Sequence, residues 1–233
     1  MSGILYGIGL GPGDAELMTL KAARLISAAK VVAYPALAGG DSFARSIAAD
    51  LIGDDVREIR IDVPMKVARG PAQAAYDLAA DEISAVLETG LNVIVLCEGD
   101  PFFYGSFMYI YARLKDRFAT EVVPGITAMT ASAASLGLPL AARNEMLSVV
   151  PGPLPDDELR QKISAADSVV IMKVGRHLGR IRALIESLGL LDQAHYIERA
   201  TLPAEQKMPL ALAPETAPYF SMILITKEAD PWL

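Results

Sequence analysis

The chain has 233 residues, of which 52% are hydrophobic and 21% charged, and its formal net charge is −7 at pH 7. A chain this apolar can offset the entropy cost of ordering, so disorder is excluded as its dominant state. The negative charge argues against nucleic acid as the main partner, because phosphate binding needs a basic surface. Cys97 is the single cysteine, which excludes an intrachain disulfide. No signal peptide or membrane span is predicted, so we expect a cytoplasmic protein.

Short apolar runs alternate with amphipathic stretches in the first half of the chain. The predicted strands cover residues 4–9, 31–34, 56–61 and 92–97. The predicted helices between them cover residues 19–29, 42–52 and 72–89. Thr19 and Ser42 are predicted N-caps, because their hydroxyls can accept from the free amides of a first turn. This alternation predicts a parallel sheet with crossover helices.

The second half has a different pattern. Strands are predicted at residues 121–123, 146–150 and 168–173, and helices at 126–136, 156–165 and 178–188. The last apolar runs, at 195–198, 207–212 and 219–226, resemble hairpin strands and favour a mixed sheet with antiparallel edges. Charge is dense around 113–120. We therefore predict an α/β fold with two α/β domains, residues 1–115 and 116–233, and a cleft between them.

A glycine-rich run, Gly7-Ile8-Gly9-Leu10-Gly11-Pro12-Gly13-Asp14, follows the first predicted strand. Its spacing does not match a dinucleotide fingerprint, because the third glycine would fall on Leu10 or Pro12. No Gly-Lys-Ser/Thr is present, which excludes a Walker A loop. The loop of common methyltransferases is also a poor match, since Leu5 stands where that loop has an acid. A plain strand-to-helix turn and a ligand site are both compatible with this run.

Two further turns with glycine follow predicted strands. One is Glu98-Gly99-Asp100-Pro101-Phe102-Phe103-Tyr104-Gly105, and the other is Val123-Pro124-Gly125-Ile126-Thr127-Ala128. Ligands of open α/β sheets bind at the carboxyl ends of strands, where such turns expose backbone groups. Three turns of this kind in one chain favour a ligand site.

Taken in order, these motifs resemble the tetrapyrrole methylase family, the class III S-adenosylmethionine methyltransferases. The matching segments are Gly9-x-Gly11-Pro12-Gly13-Asp14, Leu17-x-Thr19-Leu20-Lys21, Gly99-Asp100-Pro101 and Pro124-Gly125-x-Thr127. The resemblance implies a homodimer that binds S-adenosylmethionine between its two domains and releases S-adenosylhomocysteine. It implies cofactor contacts from Gly99, Asp100, Pro101, Phe103, Thr127, Ala128, Met172 and Ala200. It also implies that Gly11, Pro12 and Gly13 face the tetrapyrrole.

Further segments resemble the branch of the family that methylates C-20 of precorrin-2. They are Val63-Pro64-Met65, residues 97–109, Ile171-Met172-Lys173, Glu198-Arg199-Ala200-Thr201 and Tyr219-Phe220-Ser221. The branch also includes enzymes for the cobalt-containing substrate. Glu98 and the Gly105-Ser106 pair favour the metal-free one.

Methyl transfer to a nucleophilic ring carbon needs alignment and a proton acceptor, without a metal or a covalent intermediate. The candidate acceptors are Glu98, Asp14 and Tyr104. A carboxylate-rich substrate implies a basic pocket, for which the candidates are Lys66, Arg69, Arg143, Lys173, Arg176 and Arg199. No Cys/His cluster has the spacing of a metal site, so no metal is expected.

Other functions remain compatible with the sequence. Within the family, the chain could be a precorrin-4 or uroporphyrinogen methylase, or diphthine synthase, which methylates a protein side chain. Outside it, the same scaffold could form a non-catalytic nucleotide-binding module. Preference for NAD or ATP over S-adenosylhomocysteine would favour that module.

Overall fold

The computed structural model describes residues 1–64 and 69–227. They form two compact units, one over Met1–Thr127 and one from Ala128 onward. Each unit contains one five-stranded sheet. The first sheet is parallel and the second is mixed, so the predicted α/β class and the difference between the two halves are confirmed.

The first sheet contains five parallel strands in the order β3-β2-β4-β1-β5. These strands are β1 (Leu5–Gly9), β2 (Val31–Leu37), β3 (Arg57–Val63), β4 (Val93–Cys97) and β5 (Thr120–Val123). Every residue of β1 and β4 is buried, because helices cover both faces of the sheet. The helices are α1 (Leu20–Ser27), α2 (Phe43–Ile47), α3 (Arg69–Glu88) and α4 (Phe107–Leu114).

Two apolar layers hold the helices on this sheet. One layer joins α3 and α4 to the odd-numbered residues of β4, and the other joins α1 and α2 to Ile94 and Leu96. Gly7 leaves room for the Phe107 ring, since a Cβ there would lie 2.3 Å from a ring carbon. The predicted caps are confirmed: Thr19 Oγ1 accepts from the Ala22 amide at 3.1 Å, and Ser42 Oγ from the Arg45 amide at 3.2 Å.

The boundary between the units lies later in the chain than residues 115/116, where the sequence placed it. β5 pairs with β1 along its length, with Leu5 opposite Thr120 and Ile8 opposite Val123. Residues 116–127 therefore belong to the first unit. A charge-rich stretch is a weak boundary signal, because charged residues also occupy turns between two elements of one sheet.

The second unit contains α5 (Ala128–Leu136), α6 (Asp156–Ala165), α7 (Leu178–Ser187) and five strands. The strands are β6 (Leu147–Pro151), β7 (Ser168–Met172), β8 (Ala194–Glu198), β9 (Gln206–Pro209) and β10 (Ser221–Thr226), in the order β6-β7-β10-β8-β9. β8 and β9 form the expected antiparallel pair. β10 does not extend that hairpin; it lies between β7 and β8, antiparallel to both.

In the described part of the chain, no helix is both long enough and apolar enough to cross a bilayer.

Candidate cofactor and substrate site

The three glycine turns lie side by side in the first unit. β4, β1 and β5 are neighbours and parallel, so the turns that follow them lie at the same edge of the sheet. Gly11 and Gly99 form an isolated bridge between the first two turns. The Gly99 amide donates to the Gly11 carbonyl at 2.7 Å, and the Gly11 amide donates to the Gly99 carbonyl at 3.2 Å.

Close backbone approach explains why these turns contain glycine. A Cβ added at Gly125 would lie 2.1 Å from the Gly99 carbonyl oxygen and 2.8 Å from Gly9 Cα. A Cβ added at Gly9 would lie 2.6 Å from the Gly125 nitrogen. No side chain fits at either position without moving the backbone, so the glycines serve contact between the turns.

The Asp100 carboxylate ties the second turn to the third. One oxygen accepts from the Phe102 amide at 2.9 Å and the Phe103 amide at 3.2 Å. The other accepts from the Gly125 amide at 3.0 Å. Backbone amides thus use both oxygens, and Asp100 shapes the turn whose members Gly99, Pro101 and Phe103 were predicted to contact the cofactor.

Glu98 is the candidate proton acceptor in a perturbed environment. Its carboxylate is partly buried, and the nearby backbone amides of Glu98 itself and of Ala44, in the first turn of α2, favour its charged form. Burial raises the pKa of Glu98 despite these donors. The preceding Cys97 is fully buried, and burial raises the pKa of its thiol to about 12, so it stays protonated at neutral pH.

The other two candidate acceptors have evident structural roles. Asp14 caps a short 3-10 turn, accepting from the Glu16 amide at 2.9 Å. Tyr104 has a left-handed backbone with φ of 56° and packs its ring edge-on against Phe103, with centroids 5.2 Å apart. In the first loop Gly11 is buried, and Pro12 and Gly13 are partly buried.

Three predicted cofactor contacts share one apolar cluster in the second unit. Ala128, Met172 and Ala200 pack, partly buried, against the cluster formed by Ala133, Val170, Ile197, Met222 and Leu224. Their outer surfaces are therefore apolar and accessible, which suits an adenine ring or a thioether. Thr127, the last residue of the first unit, immediately precedes Ala128 in the chain.

The second sheet brings three of the predicted basic residues to one edge. β7 and β8 both run antiparallel to β10, so Lys173, Arg176 and Arg199 follow strand ends at the same edge. Arg143 precedes β6, which runs parallel to β7, and thus belongs near the opposite edge. Arg69 is the first residue of α3 in the first unit. Lys66 lies outside the described residues.

Arg199 is held by a buried acid that the sequence reasoning did not single out. The side chain of Glu198 is only 7% exposed and accepts from Arg199 Nη1 at 2.5 Å. Its second oxygen accepts from the buried Tyr196 hydroxyl, also at 2.5 Å. Burial and this hydrogen bond raise the pKa of Tyr196, which keeps the hydroxyl a donor. The alternation of residues along a strand indicates which side chains are buried, but it does not indicate their hydrogen-bond partners. It therefore could not reveal the role of Glu198.

Among residues 1–64 and 69–227, no three His, Cys, Asp or Glu side chains are grouped so that they could hold a metal ion.

A family model described as tetrapyrrole (corrin/porphyrin) methylases matches residues 4–213. The chain belongs to this family. The methylase is 40% identical to a precorrin-2 C(20)-methyltransferase from Sinorhizobium sp, over 97% of both chains. It is 33% identical to a cobalt-precorrin-2 C(20)-methyltransferase from Salmonella typhimurium, over 98% of both chains. A uroporphyrin-III C-methyltransferase from Thermus thermophilus, solved with S-adenosylhomocysteine, superposes with a TM-score of 0.69 at 26% identity, covering 97% of this chain and 92% of that one.

Replacing Gly125 with alanine should destabilise this methylase by about 1–3 kcal/mol, because the new methyl group would displace the Gly99 and Gly9 backbones. The free energy of unfolding is measured by urea denaturation followed by circular dichroism. Gly70→Ala is the matched control: it lies in α3 with open space around its Cβ and should be stabilising by roughly 0.5–1 kcal/mol. Equal effects at both positions would contradict the close contact.

Proposed function

We propose that the protein is an S-adenosylmethionine-dependent C-methyltransferase that converts precorrin-2 to precorrin-3A by methylating C-20, a step of cobalamin biosynthesis. The main support is 40% identity with a precorrin-2 C(20)-methyltransferase over 97% of both chains. The second candidate is the same reaction on cobalt-precorrin-2, supported by 33% identity over 98% of both chains.

S-adenosylmethionine would supply a methyl group activated by the positive sulfur. The residues that fit it in the first unit are Gly99, Pro101 and Phe103, on a turn that Asp100 fixes from within. Those in the second unit are Ala128, Met172 and Ala200, whose partly buried side chains form an apolar surface. The protein's task is to align the reactants and exclude water, because C-20 is already nucleophilic.

The overall reaction replaces the hydrogen on C-20 with methyl: a C–C bond forms, the S–CH3 bond breaks, and a proton must leave. We propose that the Glu98 carboxylate accepts this proton. This carboxylate lies at the end of β4 beside the Gly99 turn, and its raised pKa brings it closer to the working pH than an ordinary glutamate. Asp14 is the weaker candidate because its carboxylate caps a turn.

The carboxylates of the substrate would meet the basic edge of the second sheet. Lys173 and Arg176 are exposed there, and Glu198 holds the Arg199 guanidinium by one nitrogen. Arginine offers paired N–H groups that match a carboxylate. The turn with Gly11, Pro12 and Gly13 is proposed to face the same ligand. A homodimer in the cytoplasm stays a prediction, which light scattering of the purified protein would test for oligomeric state.

Product analysis tests the reaction. The protein is incubated with S-adenosylmethionine and, in separate reactions, with precorrin-2, cobalt-precorrin-2 and uroporphyrinogen III. We expect a mass gain of one CH2 with precorrin-2, at C-20 by NMR of labelled methyl. Faster turnover of the cobalt form would favour the second candidate, and methylation of uroporphyrinogen III alone would contradict both.

Glu98→Gln should lower kcat by about 100-fold or more, because the amide cannot accept the proton. In the wild type, kcat should fall as the pH drops through the raised pKa of Glu98, above the ordinary value of about 4.3, since the carboxylate must be ionised. In Glu98→Gln, kcat should not show this fall at low pH. Steady-state rates between pH 5 and 9 (roughly the range in which the protein is expected to stay folded) provide the measurement.

Stability separates this effect from misfolding. A raised pKa means that ionised Glu98 costs folding free energy at neutral pH, so Glu98→Gln should be at least as stable as the wild type there. That advantage should vanish below the ordinary glutamate pKa. If Tyr104→Phe or Asp14→Asn, and not Glu98→Gln, removes the rate, the assignment of the acceptor is wrong.

Arg176→Ala should raise KM for the tetrapyrrole by about tenfold and leave the affinity for S-adenosylhomocysteine unchanged, since one charge-assisted contact is worth about 1.5–3 kcal/mol. Initial rates and calorimetric titration give the two quantities. Arg160→Ala, on α6, where the guanidinium donates to Ser187 Oγ at 3.0 Å, is the control and should change neither. Equal losses of both affinities would argue against a substrate role.

A further inference from the structure

The turn that carries Ala200 has a strained backbone. It follows β8, and its flanking residues Arg199 and Thr201 both have left-handed conformations, with φ of 51° and 70°. A β-branched residue rarely adopts this conformation, because its side chain crowds the backbone. Such strain persists only where the surrounding structure enforces it.

Two hydrogen bonds hold the turn at its ends. The Arg199 amide donates to the Phe220 carbonyl at 2.8 Å, next to the start of β10. The Thr201 amide donates to Glu205 Oε2 at 2.7 Å. Glu205 thus accepts from the residue with the most unfavourable conformation of the turn.

The second oxygen of Glu205 connects the turn to α5. Glu205 Oε1 accepts a short hydrogen bond from the Ser135 hydroxyl, and Ser135 lies in α5. Lys207 supports this link: its ammonium donates to the Ser135 carbonyl and lies 3.1 Å from Ser135 Oγ and 3.9 Å from Glu205 Oε1. The network of Ser135, Glu205 and Lys207 joins a helix, a turn and the start of β9.

The charge of Glu205 suits this position. Burial by itself would raise the pKa of Glu205, but the Ser135 hydroxyl, the Thr201 amide and the Lys207 ammonium together lower it. The carboxylate is therefore ionised at neutral pH and accepts from both sides.

The joined segments are those that carry the proposed cofactor contacts of the second unit. Ala128 is the first residue of α5, Ala200 is the middle residue of the strained turn, and both pack against the same apolar cluster. Moving the turn relative to α5 would alter the surface that these two residues form.

We propose that Glu205 is a positioning residue for S-adenosylmethionine, which it serves by holding the Arg199–Thr201 turn against α5. Glu205 acts through Ala200 and Ala128. The inference rests on the proposed function, since it takes those two alanines as cofactor contacts.

Glu205→Ala should weaken S-adenosylhomocysteine binding at least tenfold in calorimetric titration and raise KM for S-adenosylmethionine similarly. KM for the tetrapyrrole and kcat with both substrates saturating should stay within about twofold, because the turn is restored when ligand is bound. Glu215→Ala is the matched control: Glu215 pairs with Arg182 at 2.6 Å in the same unit and is 85% exposed. It should leave every value unchanged.

Two further variants test the mechanism. Thr201→Gly in the Glu205→Ala background should recover at least threefold in affinity, because glycine adopts φ of 70° without crowding. Ser135→Ala removes one contact of Glu205 and should weaken binding about threefold without changing the melting temperature. If Glu205→Ala does not fold, Ser135→Ala provides the test instead. An unchanged affinity for S-adenosylhomocysteine in Ser135→Ala would then overturn the inference.

The outcomes separate the two proposals. A wild type that does not bind S-adenosylhomocysteine contradicts the proposed function itself. A wild type that binds, with equal binding by Glu205→Ala, overturns the positioning role and leaves the function intact. A parallel rise of KM for the tetrapyrrole would show a general disturbance of the unit and would also overturn it.

Discussion

The first unit depends on one constraint, the close contact between the glycines of three neighbouring backbone turns. Gly9, Gly99 and Gly125 approach so closely that a Cβ at Gly9 or Gly125 would lie within 3 Å of a neighbouring backbone atom. β1, β4 and β5 must be neighbours for these turns to meet, so the strand order and the glycines require each other. This contact also explains why the first glycine-rich run does not match a dinucleotide fingerprint. Its glycines are spaced for contact with the other turns, whereas the glycines of a phosphate-binding loop are spaced for contact with the phosphate.

Carboxylates repeatedly brace the backbone in this acidic protein. Asp100 accepts from three amides across two turns, Asp14 caps a 3-10 turn, and Glu205 connects α5 to the turn after β8. A carboxylate that accepts hydrogen bonds from backbone amides is fixed in place as part of the scaffold. The net charge of −7 is therefore compatible with an acidic ligand, because basic side chains such as Lys173 and Arg176 stay exposed at the edge of the second sheet.

Periodicity and caps predicted most elements, because both are local properties of the chain. Thr19 and Ser42 begin helices as expected, and β3 and β5, the strands at the two ends of the first sheet, are within a few residues of their predicted bounds. Three features were beyond such reasoning. α4 was not predicted, since its aromatic-rich sequence also suits a strand. The boundary was placed too early because β5 pairs with β1 from far along the chain, and β10 lies between β7 and β8 for the same kind of reason.

The sequence alone determined the class, the three glycine turns and the family, since these depend on residue types at fixed spacing. It also named Glu98 as a candidate acceptor, though without its environment. Only the tertiary structure decided what the polar groups do: Asp100 binds amides of its own and a distant turn, burial raises the pKa of Glu98, and Glu198 holds Arg199. The reason is physical. Hydrogen bonding, burial and pKa depend on partners that the fold brings together, and no spacing along the chain specifies them.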